Sequence, residues 1–435
     1  MFKRLKNIMQ GSFVRNVFIM ASGTAMAQVI SMLLAPIITR IYGPEAYGMM
    51  GTFMAIISIF TPIAALTYPI AIVLPKSNED AKGLVRLSLL ITIGVTVLSF
   101  LIIISFYDYI VNLFQLEEVA SFLLLIPLAI LFGGFLQVVE QWLIRTKQFG
   151  VSAQTAVTQS ILVNGGKAGV GFFYPKAAVL IFLTAIAEGV RAFLMLFFSR
   201  KGENQLSLNI FKKSVSLKKL ASEHKDFPLF RAPQVFLNAA SQSLPVLMLT
   251  SLFGPAAAGF YSIGRTVLSV PSTLIGKSVG DVFYPRISEA ANHGENLTDL
   301  IKKATLSLAA VGAVPYALVV LFGPWLFSLV FGQEWYTAGE YARWVALWIF
   351  FMFINQPSVR ALPVLRAQSF HLIFTICTLI IRIAALFFGY SLFKSDVVAI
   401  ALFGITGAIL NLLLILITLR LSRKFDKERG QIAIG

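Results

Sequence analysis

Arg40-Ile41-Tyr42-Gly43-Pro44-Glu45-Ala46-Tyr47-Gly48 is the stretch on which the fold turns, because the chain uses it a second time. The second copy is Ser251-Leu252-Phe253-Gly254-Pro255-Ala256-Ala257-Ala258-Gly259-Phe260. Each copy closes one long apolar stretch and opens another. Gly-Pro ends the first helix, and the Pro suits the first turn of the next. The stretches that follow end alike, at Leu74-Pro75-Lys76 and at Tyr284-Pro285-Arg286. A third echo pairs Leu143-Ile144-Arg145-Thr146-Lys147-Gln148-Phe149 with Val364-Leu365-Arg366-Ala367-Gln368-Ser369-Phe370, each with Arg four residues before Phe. The chain reads as two related halves, and a duplicated half in an apolar protein points to a transporter.

Composition sets the class. The 435 residues are 57% hydrophobic, with mean hydropathy +0.81, well beyond a soluble domain. The formal charge of +16 fits basic cytoplasmic loops rather than a nucleic-acid surface, as no basic run is interleaved with aromatics. Cys377 is the sole cysteine, so no internal disulfide forms. His224, His293 and His371 have no metal-ligand spacing. Lys3, Arg4 and Lys6 ahead of Ala25-Met26-Ala27 resemble a signal peptide, but the apolar stretch runs on to Ile38 and reads as an uncleaved first span.

Hydropathy predicts an all-α integral membrane protein of about twelve helices. The expected spans are 13–39, 46–74, 84–107, 119–144, 151–173, 177–199, 228–252, 257–284, 300–322, 338–365, 368–390 and 397–420. They form two six-helix bundles, 1–199 and 228–435, joined by a basic linker, 200–227. An even number per half makes this a parallel repeat. Lys and Arg crowd the N-terminus, the even-numbered loops, the linker and the tail, whereas the outer loops hold Arg40, Lys176 and Lys394, with Arg343 near a helix end. Both termini are therefore expected in the cytoplasm. The linker reads either as an amphipathic helix on the membrane surface, from Ile210-Phe211, Val215, Leu217 and Leu220, or as a solvated connector.

Charges inside spans carry the functional signal, since each costs about 2.5–3.5 kcal/mol at the bilayer centre. Glu188 with Arg191, and Lys277 with Asp281, have the spacing of local ion pairs. Lys167, Arg265, Arg360 and Arg382 have no local acid, although Arg360 is near enough to the inner edge to snorkel. Polar stripes accompany them: Ser160, Asn164, Lys167 and Gly171; Arg265, Ser269, Ser272 and Gly276; Thr375, Thr378 and Arg382. Gln234, Asn238 and Gln242 form another on the seventh span, and Thr24, Gln28 and Ser31 on the first. One such stripe reads as helix packing. Unpaired bases on several helices together read as a water-filled cationic cavity suited to an anion, phosphate above all.

The Arg-x-Tyr-Gly-Pro-Glu-x-Tyr-Gly turn after a first span resembles the polysaccharide biosynthesis flippases, the O-antigen and capsule repeat-unit translocases of the multidrug/oligosaccharidyl-lipid/polysaccharide exporter superfamily. Length, twelve spans, middle linker and the echo at Gly254-Pro255 extend the resemblance over the chain. It implies a MATE/MOP-like, V-shaped pair of bundles working by alternating access in the bacterial cytoplasmic membrane. The implied substrate is a polyprenyl-pyrophosphate-linked oligosaccharide, moved to the outer leaflet, with a glycan polymerase and chain-length proteins as conceivable partners. Arg265 is the first candidate for the pyrophosphate; Lys167, Arg382 and Arg360 follow from the stripes. No cofactor or metal is expected; a coupling ion, H+ or Na+, or the membrane potential is. Moving one negative charge outward across an inside-negative potential releases about 2.3 kcal/mol per 100 mV. A cation-coupled drug antiporter of the same superfamily is the alternative, but residues 13–39 lack the acid common there. Peptidoglycan-precursor transporters usually have two more helices. A membrane polymerase or ligase would need acid–base residues at the outer face, where Glu117 and Glu118 show no partner spacing. Glu45 and Tyr47 either shape the turn or touch substrate.

Overall fold

The computed structural model describes residues 12–114, 117, 119–199, 216–272 and 277–432. Among them every regular element is helical. Helix Ser12–Phe60 is broken at Gly43, whose φ of 69° and ψ of 175° lie outside the helical region. Its arms are α1 (12–42) and α2 (44–60). There follow α3 (Asn78–Ser105), α4 (Tyr107–Phe114), α5 (Ile126–Arg145), α6 (Phe149–Phe173), α7 (Ala177–Phe198), α8 (Leu217–Glu223) and α9 (Ala232–Phe253). The remainder is α10 (Pro255–Pro271), α11 (Lys277–Asn292), α12 (Leu297–Phe331), α13 (Tyr336–Ile354), α14 (Gln356–Ala361), α15 (Gln368–Phe393) and α16 (Asp396–Ile432). Eight described segments are long and apolar enough to cross a membrane, the first covering α1 and α2 together. The expected fifth, eighth and tenth spans correspond to α6, to α10 with α11, and to α13 with α14.

The duplicated turn is the same object twice. Gly254 has φ 86° and ψ 172°, close to Gly43, and each is followed by Pro at the head of a helix. Only glycine holds that backbone without strain. The two turns also pack on each other. Gly48, four residues after Pro44, lies against the Pro255 carbonyl, and Gly259, four after Pro255, lies against the Pro44 carbonyl. The absent Cβ atoms permit this approach, the small-residue mode of membrane helix packing. Beyond it α2 and α9 run antiparallel, joined by a 2.5 Å hydrogen bond between the Thr52 and Thr250 hydroxyls and by Phe60 against Phe236.

The third echo is real but shifted by two residues. Lys147 (φ 57°) and Arg366 (φ 54°) are the equivalent positions, each two residues before a helix. Lys147 N donates to Ile144 O and Gln148 N to Leu143 O; Arg366 N donates to Pro363 O and Ala367 N to Leu362 O. Both are Schellman turns, with a basic residue in the left-handed position that glycine usually fills. Arg145 is therefore not the partner of Arg366.

Arg145 has another task. The expected span 46–74 is helical only to Phe60, because Pro62 and Pro69 each open a separate 3-10 turn and Leu66 and Thr67 take positive φ. Its carbonyls need other donors. Arg145 Nη1 donates to Ile72 O (3.1 Å) and Pro75 O (2.7 Å), and Nη2 to Ser77 O and Asn78 Oδ1. Arg145→Ala is expected to cost about 2 kcal/mol, the scale of a charged hydrogen bond partly open to water. Thermal unfolding in detergent measures it, with faster proteolysis at 74–78 as a local readout. Arg145→Lys recovers little, because one ammonium does not span the four acceptors.

The chain divides into two compact units, Met1–Gly259 and Phe260–Gly435. In the first, α1 and α2 pack on α6 and α9, and α5 packs on α3 and α7. Of the linker, α8 is described: Leu220 is buried in one apolar cluster with Ala81, Leu84 and Tyr68, and Tyr68 donates its hydroxyl proton to Ala221 O. This segment docks on the protein; residues 200–215 lie outside the described ones. In the second unit α13 packs on α12 and α16, and α15 on α16. Asp426 near the end of α16 caps α12, accepting from Leu297 N, Thr298 N and the Thr298 hydroxyl.

Candidate functional site

In the second unit the α15 stripe ends at Arg382, and its guanidinium enters an aromatic slot. The carbon Cζ lies 3.7 Å from the Trp348 ring centroid on α13 and 3.9 Å from that of Phe403 on α16. Gly407 on α16 makes the slot possible, since a Cβ there would overlap the Trp348 ring and meet Arg382 Nε at 3.1 Å. The two rings stand edge to face, 76° apart in plane, and form a corner in which cation–π attraction holds the ion. It leaves the hydrogen-bonding edge unmet: Nε and Nη2 are buried with no acceptor. The groups within electrostatic reach are the Tyr261 hydroxyl and a second guanidinium, Arg265, both on α10. The Tyr261 hydroxyl is itself buried without a partner. An arginine buried with a like charge nearby and no carboxylate bound is costly in a membrane unless an anion visits.

Two of the four bases named from sequence thus come together, Arg265 and Arg382. Arg360, in the last turn of the short helix α14, is exposed. Lys167 is in the first unit, 8% exposed, with Nζ 3.6 Å from Met50 Sδ. Its helix face is a packing seam. Ser160 and Ser31 hydroxyls are 3.0 Å apart, Asn164 Nδ2 donates to Ser31 Oγ, and the Tyr42 hydroxyl donates to Lys167 O. Gly171 accommodates the Tyr42 ring. Gln28 beside this seam is half-buried, and Asn238 and Gln242 are exposed on α9. Just after α10, Ser272 hydrogen-bonds the Tyr316 hydroxyl; Gly276 lies outside the described residues, and Lys277 and Asp281 outside the described side chains. In the turn, Tyr42 is buried and Tyr47 packs beside it in the same core, whereas Glu45 is exposed.

Sequence reasoning missed Trp348, Phe403 and Tyr261, which look like ordinary apolar residues of their spans. It also missed a polar link from α13 to α16: buried Asn355 donates to Asn411 Oδ1 at 3.0 Å. The signal that existed was Asn355 itself, an amide beside Pro357 inside a long aromatic stretch.

The fold is similar to that of solved multidrug and lipid transporters. An inward-facing multidrug resistance MATE family transporter of the MOP superfamily superposes with TM-score 0.70 at 14% identity, covering 95% of this chain and 99% of the other. The lipid II flippase MurJ, in an inward closed conformation, gives TM-score 0.65 at 15% identity, covering 93% of this chain and 87% of its own. No curated protein sequence matches the chain significantly. The family profile described as polysaccharide biosynthesis protein matches residues 37–340, most of the chain. The chain belongs to that family. It is a multi-pass membrane protein of transporter fold, and neither its family nor its structural neighbours are enzymes.

Proposed function

We propose that this protein is a flippase for a polyprenyl-pyrophosphate-linked oligosaccharide repeat unit of an O-antigen, capsule or exopolysaccharide. It works in the bacterial cytoplasmic membrane with both termini inside. The observation that carries the reading is the Arg382 guanidinium, set in the corner made by the Trp348 and Phe403 rings, with Nε and Nη2 unmet and Arg265 in reach. A guanidinium edge matches the paired oxygens of a phosphate. Family membership supplies the polysaccharide context, and a transporter fold supplies a route across the bilayer. The same charge argues against a cationic drug as cargo.

Lipid mass spectrometry on cells lacking the protein, with sugar-assembly enzymes intact, tests the reading. A polyprenyl-pyrophosphate oligosaccharide is expected to accumulate and to clear when the gene is restored. No accumulation, with new sensitivity to cationic drugs, would overturn it in favour of an antiporter.

A further inference from the structure

Helix α16 is longer than a span, and its outward face changes character along its length. Ile405, Ile409, Leu412, Leu413 and Leu416 are exposed, and spacings of three and four residues put them on one side of the helix. Leu414, Ile415, Thr418 and Ser422 on the other side are buried. The exposed line runs on as Arg420, Arg423, Lys424 and Lys427, again three and four residues apart and again exposed. From Ile405 to Leu416 the helix rises about 17 Å, close to the depth of one leaflet's hydrocarbon, half of roughly 30 Å. Apolar surface of that depth thus passes within one turn into a row of four bases. Chain and headgroup follow in the same order in a phospholipid.

The row is held in place and left charged. Asp426 turns to α12, where it accepts from Leu297 N, Thr298 N and the Thr298 hydroxyl. The Ser422 and Thr298 hydroxyls are 2.9 Å apart. These contacts tie the last turns of α16 to α12, where an unsupported helix end would fray. Glu428 lies 3.7 Å from Lys424, with both side chains open to water, and so neutralises little. On α12, Lys302 and Lys303 are exposed a turn before the exposed Leu306, the same change of character at the same end of the unit. Setting topology takes only a count of bases beside the membrane. It needs neither a single face nor a tethered helix.

We infer that the basic row of α16, from Arg420 to Lys427, binds the headgroup of an anionic bilayer phospholipid whose acyl chain lies along Ile405 to Leu416. The guanidiniums of Arg420 and Arg423 donate to its phosphate oxygens, and Lys424 and Lys427 add charge just beyond them. In the orientation proposed above this is the cytoplasmic leaflet. The match in depth is to a phospholipid chain rather than to a polyprenyl chain, which exceeds one leaflet. Arg420 is about 25 Å along α16 from Phe403, so the site is separate from the Arg382 corner. It does not rest on the flippase reading.

Photolabelling in liposomes tests this. The full-length protein is reconstituted in phosphatidylcholine with a trace of phosphatidylglycerol that carries a diazirine at mid-chain. After irradiation, mass spectrometry reads the label on the α16 peptide. Labelling should exceed that by the matching phosphatidylcholine probe by about tenfold or more, since each base beside an anionic headgroup is worth roughly fivefold. Arg420→Gln, Arg423→Gln, Lys424→Gln and Lys427→Gln together should abolish the excess. Arg423→Gln with Lys427→Gln should lower it several-fold, and the two bases that remain hold the tail in place if the fourfold variant does not insert. Equal labelling by the two probes, or an excess unchanged in the variants, would overturn the site. Loss of the excess on adding soluble glycerol 3-phosphate would overturn it in favour of a free-phosphate site. Loss on adding an equal amount of polyprenyl pyrophosphate would overturn it in favour of a docking point for cargo.

Discussion

Arg382→Ala is expected to stop export of the lipid-linked glycan while leaving the protein in the membrane. The guanidinium fills a slot between Trp348 and Phe403 and presents an edge whose Nε and Nη2 have no acceptor in the protein. Hydrogen bonds to a charged group are worth about 1.5–3 kcal/mol each, so losing two from a pyrophosphate corresponds to roughly 100-fold or more in transport rate. Arg382→Lys separates charge from geometry. The ammonium keeps the sign, but a point charge neither lies flat against a ring nor offers paired donors. Its rate should fall between wild type and Ala. Trp348→Ala should resemble Arg382→Lys, since the charge survives and its clamp does not. The measurement is the amount of polyprenyl-pyrophosphate oligosaccharide accumulated in cells, beside the membrane level of each variant. Wild-type export by Arg382→Ala would mean that the slot is a packing device.

Gly48→Leu and Gly259→Leu should have effects as large for a different reason. Each glycine touches a backbone carbonyl of the opposite turn, Pro255 for Gly48 and Pro44 for Gly259. A side chain at either place collides with main chain, which does not rotate away as a side-chain tip would. Overpacking usually costs about 1–3 kcal/mol, and a clash with backbone belongs at or above the upper end. The two turns should separate. With Cys377, the sole native cysteine, replaced by Ser, Thr52→Cys and Thr250→Cys offer a direct reading. Their hydroxyls are 2.5 Å apart, so the two thiols should oxidise readily to a disulfide in the parent and poorly once Gly48→Leu is added. Export should fall with the loss of cross-linking. Equal cross-linking with and without Gly48→Leu would show that the turns absorb the side chain.

Much of this molecule is legible in its sequence, and the reasons are local. Gly-Pro punctuation places a break at residues 43–44 and again at 254–255, because φ at Pro and the freedom of Gly act within one peptide unit. Both breaks are where expected, with matching backbone angles. Span 177–199 becomes α7 almost unchanged, and span 84–107 becomes α3, which begins earlier, at Asn78. Reading falters where helix and hydropathy part company. Residues 61–77 are apolar enough to extend a span, yet Pro62 and Pro69 cut them into short turns whose carbonyls depend on Arg145 and Gln137 from α5. The Arg145–Arg366 alignment fails by two residues because identity was matched where backbone conformation is what repeats, at Lys147 and Arg366.

For the site, sequence singles out the charges and structure assigns their partners. A base inside a span is visible without coordinates, because hydrocarbon makes every such charge an exception. Helical spacing then groups it with neighbours on its own helix and says nothing of the next one. Glu188 and Arg191 look like a pair at three residues apart, yet Arg191 reaches across to Glu140. Lys167 and Arg382 look alike in sequence. One is packed into the seam between α1, α2 and α6, and the other is held between the rings of Trp348 and Phe403. The sequence by itself determined the class of protein, the duplicated turn and the short list of charges, all of which depend on the solvent and on a few adjacent residues. Only the tertiary structure decided which helix faces meet, and so which charge is neutralised, which is packed and which is left with an unmet edge, because those outcomes depend on contacts between residues far apart in the chain.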